Sequence, residues 1–197
     1  MDCFALLGEP RRPWLDPESL KQKFLTLSAQ LHPDRVHNAS AADKSAAQQR
    51  FTELNAAFNR LREPKERLAH LLELELGGRP KDVQRIPEEL IAAFSEVNQT
   101  CRDADTLLAE KRRTTSPLLQ VQLFERCQDC AERLGSLLQK MNVERAALVA
   151  EIEAIDAEWN SANRAATLQR LEEVYRRLSF LTRWSDQLRE RNLQLTL

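Results

Sequence analysis

Residues 17–34 read PESLKQKFLTLSAQLHPD. Asp16 before this stretch and Pro17 at its head form a helix start, a side-chain cap followed by a preset φ at the first helical position. Leu20, Phe24, Leu27 and Leu31 then recur at spacings of 4, 3 and 4, the apolar stripe of an amphipathic helix. His32 precedes Pro33, which biases it out of the helical region and ends the helix. Downstream, the polar segment 34–39 leads to Ser40, a candidate cap. Ala47, Phe51, Leu54, Phe58 and Leu61 give a second stripe at spacings of 4, 3, 4 and 3. The two stripes predict an antiparallel helical hairpin with His32-Pro33-Asp34 at its tip. Upstream, Phe4, Leu6 and Leu7 form a short apolar turn stopped by Gly8. Pro64 starts a fourth helix with Leu68, Leu72 and Leu76, and Gly77-Gly78-Arg79-Pro80 marks a boundary.

Composition agrees with a helical chain. Only 4 of 197 residues are glycine, where average usage predicts roughly fourteen. Glycine supplies the positive-φ positions of hairpins and phosphate-cradling loops, so strand-rich folds and nucleotide-loop enzymes are disfavoured. Aromatics make up 6% and charged residues 30%, the bias of long helices packed through Leu, Ala, Val and Ile. The fold class expected is all-α. Basic and acidic residues number 29 and 30, and the first 76 residues carry eleven of each sign. Neither half has the excess that marks nucleic-acid or membrane binding. The start is acidic and its apolar run short, which does not fit a signal peptide. No apolar run nears the roughly eighteen residues of a membrane span. The expected location is the cytoplasm, with all four cysteines reduced.

Beyond Pro87 three more seams follow. Leu90, Phe94, Val97, Cys101, Ala104 and Leu108 make the first, and Thr114 to Pro117 the turn after it. Cys127, Ala131, Leu134, Leu138, Met141, Leu148, Ile152, Ile155 and Trp159 make the second. After a turn at 160–163, Leu171, Val174, Leu178, Leu181, Ser185, Leu188 and Leu195 make the third. Seams of this rhythm joined by short turns predict a three-helix, coiled-coil-like bundle. The domain layout is then residues 1–76, a linker over 77–86, and a bundle over 87–197. The middle helix, at roughly 60 Å, is long for its neighbour of about 40 Å. Either it bends near Gly135 or Asn142, or its end projects beyond the bundle.

The hairpin bearing His32-Pro33-Asp34, with Phe24-x-x-Leu27 before it and Phe51-x-x-Leu54-Asn55-x-Ala57 after it, resembles the J domain of DnaJ-type co-chaperones. The opening Asp2-x-Phe4-x-Leu6-x-Gly8-x-Pro10, with Leu15-Asp16 and Arg176-x-Leu178-x-Phe180-Leu181, is similar to the HscB branch, in which a J domain precedes a three-helix bundle. The resemblance implies a co-chaperone that stimulates the ATPase of a DnaK/HscA-type chaperone and brings it an iron–sulfur scaffold protein of the IscU type. It implies chaperone contacts through His32, Pro33 and Asp34, with Lys21, Lys23 and Arg35 as the basic face. Asp34 would offer its carboxylate to an arginine of the chaperone.

For the scaffold the resemblance implies a hydrophobic and acidic surface on the first and last bundle helices. Phe180 lies about 120° and Trp184 about 80° from the centre of their seam at 100° per residue, which takes them off the core seam and leaves either a binding surface or packing against the J domain. Ile91, Phe94 and Glu96, with Asp103, are the candidates on the first bundle helix. An alternative is a J-domain co-chaperone with another client, or one that oligomerises through its bundle.

Cys127-x-x-Cys130 invites a zinc or redox reading. Both sulfurs fall within about 60° of the buried seam, and Cys3 and Cys101 lack the spacing of two further zinc ligands. Packing is the favoured role. His37 and His70 have no partner pattern, and His70 reads as a boundary residue of its helix. No catalytic constellation, metal site or cofactor is expected.

Overall fold

The computed structural model describes residues 1–32, 40–78, 80, 85–159 and 163–197. Seven α-helices and no strand occur among them: α1 (Cys3–Leu7), α2 (Pro17–Leu31), α3 (Ala41–Arg62), α4 (Pro64–Leu76), α5 (Ile91–Arg113), α6 (Pro117–Ala157) and α7 (Arg164–Thr196). A 3-10 turn at Glu88–Leu90 leads into α5. The helix ends are written in capping chemistry. Asp2 accepts from the Phe4 and Ala5 amides, Asp16 from that of Ser19 with Pro17 in the first turn, and Ser40 from that of Asp43. Each such cap is worth about 1 kcal/mol. Gly8 and Gly77 close α1 and α4 at φ 64° and 72°, left-handed values at which a side chain is strained.

The chain forms two compact units, Met1–Lys81 with Glu151–Tyr175, and Asp82–Ala150 with Arg176–Leu197. In the first, Phe4, Leu7, Leu20, Leu54, Leu61, Leu68, Leu71 and Leu72 are fully buried. Phe24 of α2 stacks on Phe58 of α3 at 4.1 Å, fixing the hairpin side by side.

The end of α6 also belongs here. Ile152 and Ile155 are fully buried, and buried Asp156 binds Arg12 in a two-pronged ion pair. Asp156 also accepts the Trp14 amide at 3.2 Å. Trp159 donates its indole N–H to the Arg11 carbonyl at 2.8 Å. Arg164 at the start of α7 covers the Trp159 ring and pairs with Glu75 at 2.9 Å.

The second unit contains α5, α6 up to Ala150, and α7 from Arg176. Val97, Ala104, Cys130, Leu134, Leu148, Leu178, Leu181 and Leu188 form its core. Ion pairs line its outside: Glu96–Lys140, Asp103–Arg133 and Glu110–Arg126 link α5 to α6, and Asp105–Arg191 links α5 to α7. At this exposure each adds at most about 1 kcal/mol; register is their main contribution.

These units differ from the division at 76 and 87 expected from sequence, because the last turns of α6 and the first of α7 pack with the N-terminal helices. That also answers the length of the middle helix. It runs unbroken for 41 residues, and its end extends beyond the bundle unit, where Ile152, Ile155 and Asp156 are buried in the first unit. A Cβ added at Gly135 would meet nothing within 4 Å, so this glycine marks no close helix approach.

Candidate functional site

The hairpin positions the first candidate surface. α2 ends at Leu31, and His32 turns the chain out of the helix at φ −59° and ψ 130°. Its ring packs edge-on against Phe51 of α3, with centroids 5.3 Å apart. Eight residues on, Ser40 caps α3; its hydroxyl donates to Asp43 Oδ2 at 2.7 Å while accepting the Asp43 amide. Both ends of the connection are therefore anchored. Pro33, Asp34, Arg35 and His37 lie outside the described residues.

The cations of α2 differ in how free they are. Lys21 is exposed and only 4.0 Å from Glu18, one turn back on its own helix. Lys23 reaches Glu9 at 2.9 Å and donates to the Gly8 carbonyl at 3.2 Å. Its charge ties α2 to the segment after α1.

Behind the hairpin sits a polar hub with no sequence forewarning. Arg67 of α4 is buried and donates to the carbonyls of Pro13 and Leu61, each at 2.8 Å. Burial pulls its guanidinium down to about 10, opposed by the charges of Asp156 and Glu63. His70 is 2% exposed and uses Nε2 to accept the Cys3 amide at 3.0 Å, its ring stacked on Phe4. Burial, with Arg60 nearby, lowers its pKa, and Asp2 and Glu73 oppose this. His70 is thus a core acceptor joining α4 to α1, not a boundary residue.

The second candidate surface is divided. Ile91 is 50% exposed. Phe94, one turn later, is half-buried against Trp184 of α7 at 5.9 Å, and Trp184 in turn meets Phe180 at 5.5 Å. Phe180 and Trp184 are each only 4% exposed, so neither offers the open surface expected of a scaffold contact. In a three-helix bundle each helix faces two neighbours, so its buried arc is wider than one seam. Glu96 points to the other flank, 2.8 Å from Lys140 of α6. Asp103 likewise pairs with Arg133 of α6 at 3.2 Å. The acidic and aromatic candidates of α5 therefore serve different neighbours, and one continuous patch is not assembled.

All four cysteines are buried and none is in a disulfide. Burial pushes the thiols of Cys3, Cys101 and Cys130 up, opposite to the shift that activates a thiol. Among the described residues no group of three or more His, Cys, Asp or Glu is placed to hold a metal ion. No helix among them is long and apolar enough to cross a membrane.

Comparison with known proteins places this geometry. Residues 2–70 match the family model of the DnaJ domain. The co-chaperone protein HscB homolog of Bordetella pertussis is 42% identical over 72 residues, covering 36% of this chain and 42% of that protein. The matched stretch thus spans less than half of that relative. The HscB homolog of Chromobacterium violaceum is 31% identical over 126 residues, 61% of this chain and 72% of the relative. Among solved structures, chaperone HscB from Vibrio cholerae superposes with a TM-score of 0.62 at 20% identity, covering 99% of both chains. Human co-chaperone protein HscB gives 0.64 at 15%, covering 96% of this chain and 81% of its own. Both share the fold.

Proposed function

Because the chain belongs to the HscB family of J-domain co-chaperones, we propose that it stimulates ATP hydrolysis by a DnaK/HscA-type chaperone and brings it an iron–sulfur scaffold protein of the IscU type. The observation that carries this reading is the capped α2–α3 hairpin, with His32 packed on Phe51 immediately before Pro33 and Asp34. Asp34 supplies a carboxylate that pairs with an arginine of the chaperone, in a short charge-assisted bond. Binding that favours one chaperone conformation shifts its population, so this chain needs no chemistry of its own. His32 and Pro33 hold the connection. Lys21 and Arg35 provide long-range attraction to an acidic partner, and Lys23 contributes less because Glu9 already neutralises it.

Scaffold binding is assigned to the face of α5 that begins at Ile91. Phe94 forms its floor, with Phe180 and Trp184 beneath as support. Glu96 lies on the far flank and adds charge without direct contact. Calorimetric titration of an IscU-type scaffold into the full chain tests this. Wild type is expected to bind and Ile91→Glu to bind at least about tenfold more weakly. Absence of binding by wild type removes the iron–sulfur role and leaves the J domain standing.

A further inference from the structure

Beside the α5 face that begins at Ile91 stands a cation that neither motif nor seam announces. Two ion pairs set α5 and α7 side by side and parallel. Arg177 lies 3.9 Å from Glu89 just ahead of α5, and Arg191 lies 3.0 Å from Asp105 further along it. Phe180 is therefore level with the turn from Ile91 to Phe94, in keeping with its contact through Trp184 to Phe94. Arg183, one turn on from Phe180, is exposed. Its guanidinium folds back over the Phe180 ring, 5.5 Å from the centroid, in the direction helical side chains lean. The charge thus comes level with half-exposed Ile91.

The carboxylates around it are mostly engaged. Glu89 faces Arg177, Glu96 is drawn to Lys140 on the other flank, and Asp186 pairs with Arg189 at 3.0 Å. Glu88 and Glu190 are exposed, the first ahead of α5 and the second about two turns beyond Arg183. Among the described residues Arg183 enters no ion pair. An arginine stacked on a ring keeps its in-plane N–H donors free, in a fork that matches a carboxylate. The ring beneath also holds the side chain in place, which reduces the freedom it loses on binding.

We propose that the client docks on this face through an acidic segment, one apolar side chain lying against Ile91 and a neighbouring carboxylate forking onto Arg183. That assignment rests on α5 being the scaffold-binding face, and it adds the charge of the segment recognised. The sign is opposite to the one the family resemblance implies, in which this surface is itself acidic. A basic segment would be repelled by Arg183, and Glu96, which could have received it, is engaged by Lys140.

Calorimetric titration of an IscU-type scaffold into full-length Arg183 variants tests this. Arg183→Glu is expected to raise the dissociation constant about tenfold or more. Arg183→Gln should weaken binding less, and Arg183→Lys, which keeps the charge and loses the fork, should fall between wild type and Arg183→Gln. Added salt should narrow the gap between wild type and Arg183→Glu. Arg183 is exposed, so melting curves of the three variants should overlay that of wild type. A scaffold bound by wild type and bound as tightly or more tightly by Arg183→Glu overturns the acidic segment and leaves the scaffold reading standing. A wild type that binds no scaffold overturns both.

Discussion

Replacing Asp156 by alanine should destabilise the N-terminal unit although Arg12 and Trp14, the residues it holds there, lie 144 and 142 positions away in sequence. Three losses follow from the geometry. Arg12 forfeits a two-pronged pair, but its side chain is 43% exposed, so screening limits that loss to about 1 kcal/mol. The Trp14 amide, 3.2 Å from Asp156, loses its acceptor at a cost of about 1 kcal/mol. Arg67, buried and held by two carbonyls, loses one of its two countercharges and keeps Glu63. Breaking a fully buried pair costs 3–5 kcal/mol, and here only the longer-range part is lost, so about 1 kcal/mol is assigned.

The expected total is about 3 kcal/mol. For a chain of this size, at about 2–4 °C per kcal/mol, that is a fall in Tm of roughly 6–12 °C. Asp156→Asn, which keeps an acceptor for the Trp14 amide, should lose less. Urea unfolding followed by the fluorescence of Trp14 and Trp159 measures both variants. If Asp156→Ala unfolds within about 0.5 kcal/mol of wild type, the range of an ordinary surface change, the hub does not hold this unit together.

Two further outcomes follow. His70 is neutral in the fold because Nε2 accepts the Cys3 amide. Asp2 at 4.0 Å and Glu73 at 3.8 Å favour a proton, while burial and Arg60 oppose it and keep its pKa below the usual 6.5. The unfolded chain therefore takes up the proton first as pH falls, so this contribution is complete above about 6.5 and declines below it. The urea midpoint should fall as pH is lowered below about 6.5, and His70→Gln should flatten that fall; parallel pH profiles would contradict the assignment. Phe180→Ala should cost about 3–5 kcal/mol in thermal unfolding as a core truncation. Ile91→Ala, at a half-exposed position, should cost under about 0.5 kcal/mol. Equal effects would mean that the burial of Phe180 is not what distinguishes the two sites.

The helices of the first 76 residues were legible because their ends are marked by local chemistry. Asp16-Pro17, Ser40, Pro64 and Gly77 each act within a few residues of themselves. Seam residues such as Leu134 and Leu178 were legible by period. What stayed hidden is long-range. Nothing near Asp156 in sequence announces that it will face Arg12, and a lone His70 among leucines carries no sign of the Cys3 amide it accepts. Phe180 and Trp184 were misplaced because a single seam describes one neighbour, whereas α7 packs against two. Glu96 and Phe94 stand two residues apart and were grouped as one surface. On a helix that spacing sends them to opposite sides, one to Lys140 and one to Trp184.

The steady-state ATPase rate of a DnaK/HscA-type chaperone, measured with wild-type chain and with Asp34→Asn at matched concentrations, bears most directly on the co-chaperone reading. Wild type should accelerate hydrolysis, and Asp34→Asn should leave the chaperone near its basal rate with an unchanged melting curve. Equal acceleration by both would contradict the role given to Asp34 and the chaperone contact built on it.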